Sequence, residues 1–340
     1  MQELQHTTDW THQGLRVITL ENSLLKVVIL PEAGGKIWQI TYKPHAADLL
    51  WNNSRIPPAH HRIHSRYDDV WSGGWDELFP TDEAAVINGE QYPDHGETWT
   101  GHWDAELLTS KDEIGVRLTF VTPISSFRIE KTILLRPGIA RIYFHHRFTN
   151  LGAAAFPFLW KLHPAFDITP QHRIDFPPMR VSLESDFPGT LKGAPSHFDW
   201  PYAPIGSSEV DLRRVSGTEG RQLYFFYGTQ MKDSWCALTN TATKLSCGLH
   251  FDATVFPSCW LFASYGGWRD YNVAVLEPGT GYPLSFEAML AAGRQRILEP
   301  GETLDTDVLF TVQEGLESVA HVDSTGIMDD EAAVLQLSMD

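Results

Sequence analysis

Three segments place histidine or carboxylate side chains where acid–base chemistry would need them. The chain has 15 histidines, and an imidazole exchanges its proton near neutral pH, so the informative ones are those in a distinctive setting. His163 lies in Phe158-Leu159-Trp160-Lys161-Leu162-His163-Pro164-Ala165-Phe166. It closes an apolar run, and the proline after it is expected to end regular strand pairing. His95 lies in Tyr92-Pro93-Asp94-His95-Gly96-Glu97-Thr98-Trp99. Gly96 permits a tight backbone there, and Asp94 and Glu97 are expected to flank the imidazole. Glu277 ends Val273-Ala274-Val275-Leu276-Glu277 before Pro278-Gly279. A desolvated carboxyl at the end of such a strand has a raised pKa and is suited to take a proton. Each has a plain structural alternative, a buried and satisfied histidine or a capping glutamate.

A fourth segment, Ser72-Gly73-Gly74-Trp75-Asp76-Glu77-Leu78-Phe79-Pro80, brackets two acids with aromatics. Adjacent strand residues face opposite sides. Asp76 and Glu77 are therefore not expected to form the close carboxylate pair of a retaining glycosidase. His60, His61 and His64 share a polar loop, but no carboxylate spacing supports a metal there, and no metal ligand is assigned. His145 and His146 lie within a strand and face opposite sides. GxxxxGK[ST], HExxH, GxSxG and a GxGxxG after a strand are all missing, which counts against nucleotide-binding and nucleophile-elbow chemistry. The 12 tryptophans offer flat apolar faces that suit sugar rings as well as core packing.

The elements that must position these residues read as short strands. Leu15 to Leu20, Leu25 to Leu30, Lys36 to Tyr42, Ala105 to Leu108, Gly115 to Val121, Phe127 to Leu135 and Ile142 to Phe148 are apolar or alternating. Leu223 to Tyr227, Ser234 to Leu238, Leu245 to Phe251, Cys259 to Ala263, Val273 to Leu276, Phe286 to Leu290 and Thr303 to Val312 follow in the same style. Many short strands with turn punctuation predict an all-β sandwich or barrel. Residues 52–70 and 184–220 read as long loops, a length that is uncommon unless it serves a site. A short helix is expected over 329–337. One domain is expected over 1–340, with a core of about 15–313 and a tail of 314–340.

Composition narrows the function classes. The chain has 340 residues, 42% hydrophobic and 20% charged, enough to bury a large core. Its net charge of −17 counts against nucleic acid and anionic membranes. Three cysteines without CxxC spacing suggest neither a disulfide framework nor a thiolate zinc site. The N-terminal residues have no signal-peptide pattern, and no run of about 18 apolar residues appears. A cytoplasmic protein is expected, monomeric or homodimeric, with no membrane or nucleic-acid partner.

In chain order these segments resemble the galactose mutarotase-like superfamily, which includes the aldose 1-epimerases. The matching pieces are Pro31-Glu32-Ala33-Gly34-Gly35-Lys36-Ile37, Gly73-Gly74 with Leu78-Phe79-Pro80, Asn88-Gly89 with Asp94-His95-Gly96, and Phe148-Thr149-Asn150-Leu151-Gly152 with His163-Pro164-Ala165-Phe166. Leu276-Glu277-Pro278 and Leu298-Glu299-Pro300-Gly301-Glu302 complete the series. The resemblance runs from about residue 15 to 313. It implies a large antiparallel β-supersandwich and ring-opening chemistry on an unphosphorylated sugar, with no cofactor. Glu277 would take the proton of the anomeric hydroxyl, His163 would protonate the ring oxygen, and His95 would hold or polarise the ring oxygen or anomeric hydroxyl. Trp75, Asp76, Glu77, Asp94, Trp99, Trp160, Lys161 and Arg269 are the candidate substrate contacts. Aldose epimerases often carry an arginine after the Phe-Pro pair or in a Gly-Arg pair. This chain has Thr81-Asp82-Glu83, with Arg62 and Arg66 as candidate replacements. The acidic replacement also disfavours a sugar phosphate. Two other readings fit the same segments. One is a related carbohydrate enzyme, a lyase or an epimerase of a modified sugar or glycoside; the other is a non-catalytic sugar-binding protein.

Overall fold

A computed structural model of the chain describes residues 4–185, 189 and 191–330. Antiparallel strands dominate it, and the chain divides into two compact units. The first is Met1–Ala165 with Gly279–Val308, the second Phe166–Pro278 with Leu309–Asp340.

In the first unit two sheets face each other. One runs through Gln5–Thr7, Ile18–Glu21, Leu25–Leu30, Lys36–Tyr42, Trp75–Leu78 and the first part of Lys161–Asp167. The other is a meander of Asp104–Thr109, Ile114–Val121, Phe127–Leu135 and Arg141–Asn150, followed by the start of Thr303–Glu314. Strict alternation sets what fills the space between them. Phe127, Ile129, Lys131, Ile133 and Leu135 point inward from one strand, and Ile142, Phe144, His146 and Phe148 from the next. Phe144 meets Trp75 with ring centroids 4.9 Å apart. Each large apolar side chain buried this way contributes about 1.5–3 kcal/mol.

Two of the inward residues are polar, and both meet Glu77. Lys131 Nζ lies 3.1 Å and His146 Nε2 2.9 Å from Glu77 Oε1, and Trp160 Nε1 donates to Oε2 at 3.1 Å. Burial alone would raise the Glu77 carboxyl; the neighbouring His146 and Lys131 outweigh it and hold it at about 2.

The second unit repeats the architecture. One sheet orders Asn272–Gly279, Ser258–Tyr265, Gln222–Thr229, Arg180–Leu183 and His197–Asp199; the other places Leu245–Phe251, Trp235–Asn240 and His172–Asp175 beside the end of Thr303–Glu314. After that strand the chain folds back. Val319, Val322 and Met328 bury against Trp235 and Ala237. Cys236, Cys247 and Cys259 are buried free thiols.

Most strands occur where the alternation places them, with three departures. Phe286–Ala291 is a helix, not a strand. Ser285 caps it by accepting the Ala288 N–H, and Phe286 and Met289, three apart, share its buried face. The His163 strand does not stop at Pro164. It runs Lys161–Asp167, and the ladder continues because Ala165 N–H donates to Gly74 O at 3.0 Å. Asp329, the start of the expected terminal helix, sits instead in a strand, Met328–Asp329, paired with His321–Val322. Residues 331–337 of that helix lie outside the described residues. The two long loops contain short elements, among them the one-turn helix Tyr67–Val70 and the hairpin of Tyr202–Ile205 with Ser208–Asp211.

Candidate functional site

The Trp75–Leu78 and Lys161–Asp167 strands set a register that sorts their side chains. His163 pairs with Asp76 and Lys161 with Leu78. Asp76, Lys161 and His163 therefore share one face, and Trp75, Glu77 and Leu162 the other, which is the sandwich interior. The strand before Asp76 enters through Gly73, whose φ of +85° and whose missing Cβ, which would lie 2.3 Å from Trp51 O, both require glycine. Gly73 O also accepts Lys36 Nζ at 2.7 Å.

Lys36 continues to Asp76, its Nζ 2.6 Å from Asp76 Oδ2. The same oxygen accepts the Tyr67 hydroxyl at 2.8 Å, and that hydroxyl lies 3.3 Å from His163 Nδ1. Tyr67 arrives on the one-turn helix of the long loop and is 2% exposed. Its backbone N–H donates to Asp94 Oδ2 at 3.0 Å. Trp71, one turn on, meets the His163 ring edge-on at 5.7 Å.

His95 lies against the other face of this group. Its ring stacks on Tyr67 at 4.1 Å and 12°, and is 6.2 Å from the His163 ring. Its φ of +61° is unusual for a side-chain-bearing residue and costs about 1–3 kcal/mol, strain of the kind held at functional sites. The strain is held by His95 N–H donating to Asp82 O at 2.6 Å, and by Gly96, whose missing Cβ would lie 2.1 Å from Phe79 O. His95 Nδ1 is 2.9 Å from Asp94 Oδ1. Trp99 packs edge-on to Tyr67 at 5.0 Å and donates to Asp94 O.

The two imidazoles are tuned in opposite directions. Burial, with Lys161, His95 and Lys36 nearby, pushes His163 well below the ordinary 6.5, so it is neutral at neutral pH. Burial acts on His95 in the same sense but is outweighed by the Asp94 hydrogen bond and the charges of Asp82, Asp94 and Asp68, so its pKa is raised.

His95, His163, Asp76, Asp94, Trp99 and Lys161 thus gather in the first unit. Trp75, Glu77 and Trp160 point into the sandwich interior, away from them. Glu97 turns away from the imidazole it was expected to flank; its carboxylate accepts the Ile124 and Ser125 N–H groups. Glu277 lies in the second unit, 1% exposed on Asn272–Gly279. Arg269 is exposed on a turn of that unit, over the Trp268 ring at 5.0 Å. Arg62 and Arg66 are exposed, and Arg66 faces Asp69 at 3.6 Å. His60 and His64 are exposed, while His61 packs against Trp99 at 5.8 Å.

Sequence reasoning missed Lys36, Tyr67 and Trp71 and the role of Asp82. Asp82, standing where the arginine was expected, is 2.7 Å from Lys161 Nζ. A lysine opening the apolar strand at 36 was a usable signal. Tyr67 had none beyond the length of its loop.

Comparison with known proteins bears out the resemblance at the level of fold. A family model described as a domain of unknown function, DUF5107, matches residues 3–88, a span that includes Lys36, Tyr67 and Asp76. Solved structures match nearly the whole chain. A Klebsiella pneumoniae protein provisionally assigned as an aldose 1-epimerase has 16% identity and a TM-score of 0.72, covering 99% of this chain and 86% of its own. A galactose mutarotase-like protein from Clostridium acetobutylicum has 10% identity and a TM-score of 0.66, covering 93% and 100%. A galactose mutarotase related enzyme from Lactobacillus acidophilus has 14% identity and a TM-score of 0.62, covering 89% and 99%. The fold is the antiparallel β-supersandwich of the galactose mutarotase-like proteins. Among the described residues no helix is long and apolar enough to cross a membrane.

Proposed function

We propose that the protein is an aldose 1-epimerase-like isomerase that interconverts the anomers of an unphosphorylated sugar by acid–base ring opening. The observation that carries this is a pair of imidazoles set around one tyrosine, His163 buried and His95 half-buried, and tuned in opposite directions. Ring opening needs one group that holds a proton for the ring oxygen and another that takes the proton of the anomeric hydroxyl. His95, with its raised pKa, is the proton donor. This reverses the sequence-based expectation for His163, whose neutral imidazole accepts a hydrogen bond instead. Glu277 is the base, a role that rests on the resemblance. Once the ring has opened, rotation about C1–C2 and reclosure invert the anomer.

The charges around the imidazoles support an uncharged substrate. Lys36 is matched by Asp76, Lys161 by Asp82 and His95 by Asp94. Phosphate recognition relies on cations free to pair with it, and here each is already matched. Asp76 Oδ1 is buried and receives no hydrogen bond from the described residues. Polarimetry tests the proposal. Glu277→Gln and His95→Gln should each lower mutarotation of a responsive aldose by about 10²–10⁴-fold, the usual contribution of a general acid or base. Full rates in both variants would overturn it.

A further inference from the structure

We propose that Tyr67 is a positioning residue that fixes the tautomer of His163, so that the imidazole presents an unprotonated Nε2 to the sugar. The proposal rests on the reading of this cluster as the sugar site.

The Tyr67 hydroxyl, with one proton to give, lies 2.8 Å from Asp76 Oδ2 and 3.3 Å from His163 Nδ1. Asp76 Oδ2 also faces the Lys36 ammonium at 2.6 Å, so it is the charged acceptor, and charged acceptors make the shorter and stronger bonds. The phenol proton lies toward Asp76. That leaves the phenol oxygen as an acceptor for His163 Nδ1–H. A neutral imidazole carries one ring proton; with it on Nδ1, Nε2 keeps its lone pair. The result is a directed chain: Lys36 donates to Asp76, Tyr67 donates to Asp76, and His163 donates to Tyr67.

The groups around His163 keep it in this state. Lys161 lies two residues away on its own strand, Asp76 opposite it, Lys36 beyond Asp76, and His95 across the Tyr67 ring. Trp71 closes one side with an apolar face. Three cationic or potentially cationic neighbours disfavour a second ring proton. An imidazole held this way accepts a hydrogen bond from a sugar hydroxyl and cannot itself protonate the ring oxygen. The same tyrosine stacks on His95, so one side chain orients both imidazoles through different parts of itself: the ring for His95, the hydroxyl for His163.

Nitrogen-15 NMR of imidazole-labelled protein at neutral pH tests this without any sugar. His163, assigned by its loss in His163→Gln, should show a protonated Nδ1 and a bare Nε2. In Tyr67→Phe the ring stack is kept and the hydroxyl is lost. The His163 signals should then move toward the Nε2–H form or a mixture, and kcat should fall about five- to tenfold, the effect of one neutral hydrogen bond, with KM within about twofold. A wild-type His163 protonated at Nε2 overturns the proposal even if the variant does not fold. So does a Tyr67→Phe protein whose His163 signals do not move. A protein with the Nδ1–H form that leaves every sugar's anomerisation at the spontaneous rate would sink the sugar reading and keep the tyrosine's role.

Discussion

At the scale of single residues, the distinction that matters is between two histidines about 6 Å apart. Their sequence contexts marked both as candidates but did not tell them apart. The difference comes from partners: His95 has Asp94 at 2.9 Å, and His163 has buried lysines nearby. The pH dependence follows. A donor works only while it holds its proton, so the rate falls as pH rises through the His95 value, which lies above 6.5. His163 must stay neutral, so its effect on the acid side enters only well below 6.5. Asp94→Asn removes the main partner that raises His95 and should move the alkaline limb of kcat to lower pH, with the acid limb unmoved. A pH–rate profile checks this; an unmoved alkaline limb would take the donor role from His95. Lys36 left a signal in the sequence, a lysine opening an apolar strand, but its partner did not, and Tyr67 was not legible at all, because both roles depend on which strand and loop lie against Asp76, a tertiary fact.

At the scale of elements, the Trp75–Leu78 strand separates two kinds of charge. Asp76 serves the candidate site, while Glu77, one residue on, is locked between the sheets by Lys131, His146 and Trp160. The alternation predicted that these two acids would part, and it predicted that His145 and His146 would do so. It did not show that the inward histidine and an inward lysine would meet the inward acid. Removing one member of such a buried group leaves the others uncompensated and typically costs about 3–5 kcal/mol. Glu77→Gln should lower stability by that amount in urea denaturation at neutral pH. Because folding depresses the Glu77 carboxyl from its ordinary 4.5 to about 2, its stabilisation is present above 4.5 and is lost as pH falls toward 2. The gap between wild type and variant should therefore shrink in acid. A gap that is the same at pH 3 and pH 7 would contradict the assignment. The helix at Phe286–Ala291 shows a further limit: a short apolar run fits either period, and only the Ser285 cap distinguished it.

At the scale of the whole molecule, the fold was the most legible feature, since period-two patterning and turn residues act locally and repeat many times. The boundaries between the two units fall inside strands, Lys161–Asp167, Asn272–Gly279 and Thr303–Glu314, and not in linkers. On that ground we propose a single cooperative domain. Calorimetry should show one unfolding transition whose calorimetric and van't Hoff enthalpies agree; two separable transitions would contradict it. The identity of the proposed sugar was not legible, because it would depend on which hydroxyls the candidate contacts Asp76, Trp99 and Lys161 meet, and no spacing encodes that. The claim that the His95–His163 cluster serves sugar anomerisation is tested most directly by NMR saturation transfer between the α and β anomers of a panel of unphosphorylated aldoses. The wild-type protein should accelerate exchange of at least one aldose above its spontaneous rate, and His95→Gln should abolish that gain. Exchange at the spontaneous rate for every aldose in the panel would contradict the account.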